Sequence, residues 1–172
     1  LKSFDIDNTS IDAHISLGMV KYFIDWDWEG AEKCFIKALE INPNSAETHQ
    51  YYAMLLTTLC YHKKALKVAE LAHQLDPLNA PISYILSYVF FNNNQIENAI
   101  AQQKKTIELD PDFGDAWNSM AWMYVRSNEF DKAIEIFSKI LNDPTSMMRA
   151  NSGLSYVYAK LGQTDRAQEF IK

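Results

Sequence analysis

Residues 116–133 read Ala-Trp-Asn-Ser-Met-Ala-Trp-Met-Tyr-Val-Arg-Ser-Asn-Glu-Phe-Asp-Lys-Ala, and Phe137 follows. Apolar and small residues recur at i, i+3, i+4 and i+7, the period of an amphipathic helix. The rhythm breaks at Ser127-Asn128, residues that tolerate turn dihedrals. The stretch is one helical hairpin. Its second arm contains Ala133, and alanine recurs at Ala31, Ala65, Ala99, Ala133 and Ala167, always 34 residues apart. A fixed period of about 20–50 residues marks a repeat array in which each unit is one supersecondary element. Function is therefore to be sought on a stacked surface rather than in one catalytic pocket.

Other series share this spacing. Pro43, Pro77 and Pro111 each follow an aliphatic residue and Asn or Asp. Proline cannot continue a helix and biases its predecessor away from helical dihedrals, so each of these tripeptides closes a helix. Ala53, Ser87, Ala121 and Ser155 form a small-residue series, joined by Gly18 if one inserted residue is allowed. Small side chains at fixed places let two helix backbones approach closely. Leu56, Phe90, Tyr124 and Tyr158 come three residues later, which puts them on the same helical face.

The spacing predicts first helices near 11–24, 46–59, 80–92, 114–127 and 147–160, and second helices near 28–41, 62–75, 96–109, 130–142 and 164–172. Asn44 with Glu47, Asn94 with Glu97, Asp112 with Asp115 and Asn128 with Asp131 read as helix-start capping pairs. No alternation of period two persists, so the fold class is an all-α solenoid of about five helical hairpins.

The run 116–124, then Asn128-Glu129-Phe130-Asp131-Lys132-Ala133 and Phe137, resembles a tetratricopeptide repeat, and the resemblance spans essentially the whole chain. It implies a right-handed superhelix with the first helix of each pair lining the concave face. The departures are local. The first hairpin spaces its halves one residue wider, and the fourth closes with Leu141-Asn142-Asp143-Pro144. Gln103 and Thr106 are polar where other hairpins place Phe35 or Phe137 and Ala38 or Ala72, which marks the third hairpin as the least tightly packed.

Repeats fall near 10–44, 45–78, 79–112, 113–146 and 147–172, the last one incomplete, within a single array over 1–172. Lys2 to Asn8 parallels Lys37 to Pro43 residue by residue, so 1–9 reads as the end of a preceding repeat. Neither end offers the polar outer face of a capping unit, which points to a fragment of a longer array.

Hydrophobic content of 48% is that of a globular chain. The net charge is −6 and no basic stripe interrupts it, so the electrostatic footprint of nucleic-acid binding is missing. No apolar run approaches the ~20 residues that span a bilayer. Cys34 and Cys60 lie in different repeats with no Cys-x-x-Cys pair, and a reducing, cytoplasmic compartment is the simpler expectation.

Candidate chemistry is thin. His14, His49, His62 and His73 form no His-x-x-x-His or His-x-x-x-Cys pair, so no metal site is assigned. Asp25, Asp27 and Glu29 could pair as acid and base, but they stand where a helix begins and negative charge suits its dipole. Without a Gly-rich phosphate loop or a Gly-x-Ser-x-Gly elbow, no catalytic residue and no cofactor are assigned, and an enzyme is not expected.

The informative surface lies on the first helices. Met54, Tyr88, Trp122 and Tyr156 each come just after a small residue and sit off the core face, with Met19 in the equivalent place of the first hairpin. Under the tetratricopeptide resemblance they point into the concave groove, with Tyr51 and Tyr84 beside them. Ile85 lies within a turn of this series, while Tyr22, Phe23 and Phe91 fit either the groove or packing between hairpins. Asn118, Arg126, Arg149 and Lys160 supply polar and cationic groups toward the C-terminal end. Arrays that grip the carboxylate of chaperone tails carry Lys, Asn and Arg where this chain has Gln50, Met54, Tyr84, Ile85 and Tyr88. The expected partner is a protein or peptide meeting an apolar, aromatic floor, with no nucleic acid and no membrane. Exposed aromatic patches of this kind mark interaction sites.

A second block, Asp25-Trp26-Asp27-Trp28-Glu29-Gly30-Ala31-Glu32 with Phe35, Ala38-Leu39-Glu40, Asn42-Pro43, His49 and Tyr52-Ala53, is similar to one in the arrays of bacterial winged-helix transcriptional regulators and class III adenylate cyclases. It implies the sensing or docking part of a bacterial regulatory or signalling protein. The alternatives are an oligomerisation module that self-associates through its groove or ends, and a substrate-binding domain attached to an enzyme.

Overall fold

A computed structural model describes residues 10–171. Ten α-helices succeed one another among them: α1 Ile11–Val20, α2 Trp28–Ile41, α3 Ala46–Thr58, α4 His62–Leu75, α5 Ala80–Asn92, α6 Ile96–Leu109, α7 Gly114–Arg126, α8 Phe130–Ile140, α9 Met147–Lys160 and α10 Thr164–Glu169. No strand occurs among the described residues. The helices start and stop within three residues of the places the 34-residue spacing predicts, except that α1 ends four residues early, where a π-turn over Lys21–Asp25 takes over. The reading of 1–9 as the tail of an earlier repeat lies outside the described residues.

The chain divides into two compact units, Leu1–Asn94 and Gln95–Lys172, and the division falls at the turn between α5 and α6. In the first unit α1 packs on α2, α2 on α3, α3 on α4 and α4 on α5, and α3 also lies beside α5. The second unit repeats this arrangement, with α6 on α7, α7 on α8, α8 on α9, α9 on α10, and α7 beside α9. The first helices α3 and α5 are thus neighbours in one unit, and α7 and α9 in the other. Ala31, Ala65, Ala99 and Ala133 are all 0% exposed, which is why nothing larger stands at these places. Around them Phe35, Leu55, Leu56 and Val89 fill the first core, and Phe137, Leu154 and Val157 the second.

The hairpin turns differ from the predicted capping. Trp26, Cys60, Asn94, Asn128 and Gly162 all have positive φ, and they too stand 34 residues apart. Each ends a first helix in the left-handed conformation. The next N–H bonds back over the turn, Tyr61 to Leu56 O, Glu129 to Tyr124 O and Gln163 to Tyr158 O, each at 2.9 Å. Asn94 and Asn128 therefore close a helix and cannot also cap the next, because an N-cap residue is extended. Asn44 and Asp112 are displaced as caps as well: the N-cap positions are Ser45, whose hydroxyl accepts from Thr48 N, and Phe113, which offers no side-chain cap. Side-chain caps are made by Ser10, Asp27, Ser45 and Asn79. A left-handed residue with a Cβ costs roughly 1–2 kcal/mol, a strain glycine escapes. Trp26 and Cys60 bear it without the local polar side chain of asparagine.

The extra residue of the first hairpin has a physical address. Gly18 to Ala31 spans 13 positions, against 12 from Ala53 to Ala65. The surplus is absorbed as a π-turn over Lys21–Asp25, so that Asp27 N–H reaches back to Lys21 O, one residue farther than in the other hairpins. The insertion leaves the core register after it intact, since Ala31, Phe35 and Ala38 are all 0% exposed.

Between hairpins the chain is pinned by short polar contacts. Asn42, Asp110 and Asp143 accept from the N–H two residues on, closing Asx turns. Two equivalent ring nitrogens complete the pinning, His49 Nε2 on Pro43 O and Trp117 Nε1 on Pro111 O, both at 2.8 Å. His49 is a loop staple, not a ligand. In α6, Gln103 and Thr106 are both 0% exposed. Gln103 Nε2 donates to Ala116 O at 2.9 Å and Thr106 Oγ1 donates to Gln102 O at 3.2 Å, so their polar atoms are satisfied in a dry interior.

Candidate protein-binding surface

In the first unit Tyr51 and Met54 stand on α3, and Tyr84 and Tyr88 on α5, the neighbouring first helix. All four are half-buried. Tyr51 stacks on Phe35 with ring centroids 6.3 Å apart, so one face belongs to the core and the other edge is presented outward. Burial pushes the Tyr88 phenol above its ordinary range, and the nearby phenols of Tyr22 and Tyr84 add to the rise. Burial, with Glu47 nearby, does the same for Tyr51. Tyr22 is fixed by its hydroxyl against Thr58 Oγ1 at 2.7 Å. Ile85 is 7% exposed and is a core residue, which removes it from the groove. Burial at that place comes from the helical period, since Ile85 shares a face with Leu86 and Val89.

In the second unit Asn118, Trp122 and Arg126 stand on α7 and Arg149, Tyr156 and Lys160 on α9, again adjacent first helices. Trp122 is wedged between Phe137, edge-on at 5.6 Å, and Tyr156 at 5.4 Å. It is half-buried and serves both the core and the surface. Tyr156 is 42% exposed, and the Lys160 ammonium lies 5.5 Å from its ring centre. Arg149 is ion-paired with Asp115 across the two helices. Asn118 Oδ1 is buried and accepts no hydrogen bond among the described residues, an arrangement that costs about 1–3 kcal/mol unless a donor arrives.

The polar clusters elsewhere are structural. Asp27 Oδ1 caps Gly30 N at 2.9 Å while its other oxygen holds Lys21 Nζ at 2.6 Å, and both contacts lower its carboxyl below the ordinary range, the lysine first. Tyr52 OH donates to Glu32 at 2.8 Å and receives Lys64 Nζ at 2.5 Å, tying α2, α3 and α4. Cys34 is buried and Cys60 exposed, both as free thiols. Among the described residues no group of three His, Cys, Asp or Glu side chains could hold a metal ion, and no helix is long and apolar enough to cross a membrane.

Tetratricopeptide repeat models match residues 80–113 and 103–135. Residues 80–135 carry tetratricopeptide repeats. The array is 28% identical over 145 residues to protein bimA of Emericella nidulans, covering 83% of this chain and 18% of that protein. It is 26% identical over 151 residues to anaphase-promoting complex subunit 3 of Schizosaccharomyces pombe, covering 86% of this chain and 22% of that one. This array thus spans about a fifth of the length of these curated relatives. The crystal structure of PilW, a type IV pilus biogenesis factor, superposes with a TM-score of 0.85 over 95% of this chain and 76% of that one at 19% identity, which shows the α-solenoid fold alone. Tetratricopeptide proteins act as protein-interaction or assembly modules, and the fold is typically a non-enzymatic scaffold.

The residue spacing missed the left-handed turn series, although 26, 60, 94, 128 and 162 lie on the same spacing. The residue types there are Trp, Cys, Asn, Asn and Gly, and only the last three signal a turn.

Proposed function

We propose that this array is a docking scaffold with no catalysis of its own, binding a peptide or partner domain on the aromatic first-helix face of each unit. The observation that carries this is Tyr156, an aromatic ring left 42% exposed beside Trp122 and Lys160 on a helix whose core positions are otherwise filled. Such amphipathic rings lose little conformational entropy on binding and supply interface anchors. The buried acceptor of Asn118 supports a ligand bearing N–H groups, as any peptide does. The similarity to a subunit of the anaphase-promoting complex supports a role in bringing proteins together. A cytoplasmic signalling context, with this array as the sensing or docking part, rests on the sequence resemblance of the 25–53 block alone.

The test is selection of peptides from a displayed library against the purified chain. Selected peptides should lose at least tenfold in affinity on Tyr156→Ala or Tyr88→Ala, with circular dichroism unchanged. Retained affinity in both variants would show that the first-helix face is not the binding surface. A wild-type dimer by light scattering that becomes monomeric in Tyr156→Ala would instead assign the face to self-assembly.

A further inference from the structure

In the first hairpin the turn is built from large, exposed apolar residues, and the π-turn lies within it. Counting back three residues from the left-handed residue of the other hairpins reaches Thr57 and Val125, 4% and 9% exposed, the half-buried Phe91 and the exposed Ala159. The same count from Trp26 reaches Phe23, a large apolar side chain that is 53% exposed. Ile24 is 69% exposed and Trp26 is 71% exposed. Trp28, at 37%, lies with its ring centroid 6.3 Å from that of Trp26. Trp26 also holds φ 56, where three other hairpins place Asn94, Asn128 and Gly162. A bulky residue is held in a strained conformation, and its own chain gives it little burial in return. Strain of this sort gathers at functional positions, and a π-bulge does likewise.

We infer that this turn is a docking surface for a protein segment that is apolar on one side and carries Lys or Arg beside that side. The apolar requirement comes from Phe23, Ile24, Trp26 and Trp28. Charge sets the rest. Between Lys21 and Lys33 there are four acids and two lysines; Lys21 pairs with Asp27 and Lys33 with Glu29, each at 2.6 Å, and Glu32 pairs with Lys64 at 3.5 Å, which leaves Asp25 without an ion pair among the described residues. Asp25 is exposed at the rim, with the chain's net charge of −6 behind it. Guanidinium or ammonium groups on the partner would meet this acidic rim and the open faces of two indoles. The same rim opposes an anionic lipid surface, and the chain's net charge of −6 opposes a second copy. The inference stands on exposure at the turn and does not rest on the first-helix face.

The test uses the whole chain and two synthetic amphipathic peptides of about 14 residues, one of Leu and Lys, the other of Leu and Glu. Affinities come from isothermal titration calorimetry, with a Phe23→Ser, Trp26→Asn double variant as control. Asparagine is the residue two other hairpins use at the Trp26 place, so this variant should keep the parent's circular dichroism and melting midpoint. The Leu/Lys peptide should bind the wild type, weaken at least tenfold in the variant, and weaken further from about 50 to 500 mM salt. The Leu/Glu peptide should bind at least tenfold less well. Equal affinity of wild type and variant, or of the two peptides, overturns the inference. So does tighter binding to phosphatidylcholine vesicles than to the Leu/Lys peptide, which would make the turn a lipid contact. A wild-type dimer that the double variant dissociates would likewise overturn it in favour of a second copy.

Discussion

Gly153 lies in the middle of α9, and by helix propensity alone Gly153→Ala should stabilise the array by about 1 kcal/mol. The packing says otherwise. A Cβ on Gly153 would lie 2.3 Å from Phe137 Cζ, 2.4 Å from Cε1 and 2.6 Å from Cε2. Phe137 is 0% exposed and braced by the Trp122 ring at 5.6 Å, so the tip of its ring has no room to retreat. Overpacking of this kind costs about 1–3 kcal/mol, which outweighs the propensity gain and leaves a net loss of about 1 kcal/mol. Urea denaturation read by indole fluorescence reports directly, since Trp117 and Trp122 belong to the same unit. The decisive comparison adds Phe137→Leu, which removes the ring tip. In that background Gly153→Ala should become neutral or stabilising, giving a coupling of about 1 kcal/mol or more between the two sites. A Gly153→Ala variant as stable as the parent, with no coupling to Phe137, would refute the close approach of α8 and α9.

The turns and the polar network yield two further outcomes. Cys60 is exposed at φ 61, so Cys60→Asn should raise stability by roughly 0.5–1 kcal/mol in chemical denaturation, and a loss would show that the turn is not strained. The fold holds Tyr52 protonated, chiefly by burial, and Lys64 protonated, chiefly by its bond to Tyr52, raising both above ordinary values of 10.0 and 10.5. Their contribution is full below those values and is lost as pH rises through the raised ones, so the melting midpoint should drop in that alkaline window, and drop less in a Tyr52→Phe, Lys64→Met variant.

The sequence by itself determined the repeat, the helix boundaries and the candidate face. These come from periodicity: small residues every 34 positions must meet a neighbouring helix, prolines must end helices, and the 3.6-residue period sorts Tyr88, Trp122 and Tyr156 away from Ser87, Ala121 and Ser155. The one-residue surplus of the first hairpin was legible as a number but not as a shape. Only the tertiary structure placed it in a π-turn and showed that Phe23, Ile24 and Trp26 face outward, because exposure depends on which helices surround a residue and not on its own type. The same holds for Gln103, polar by sequence and dry in the fold, since its partner is the Ala116 carbonyl 13 positions away. Asn94 and Asn128 read as caps because asparagine suits both an N-cap and a left-handed turn, and the choice between them is made by the backbone that the packed helices impose.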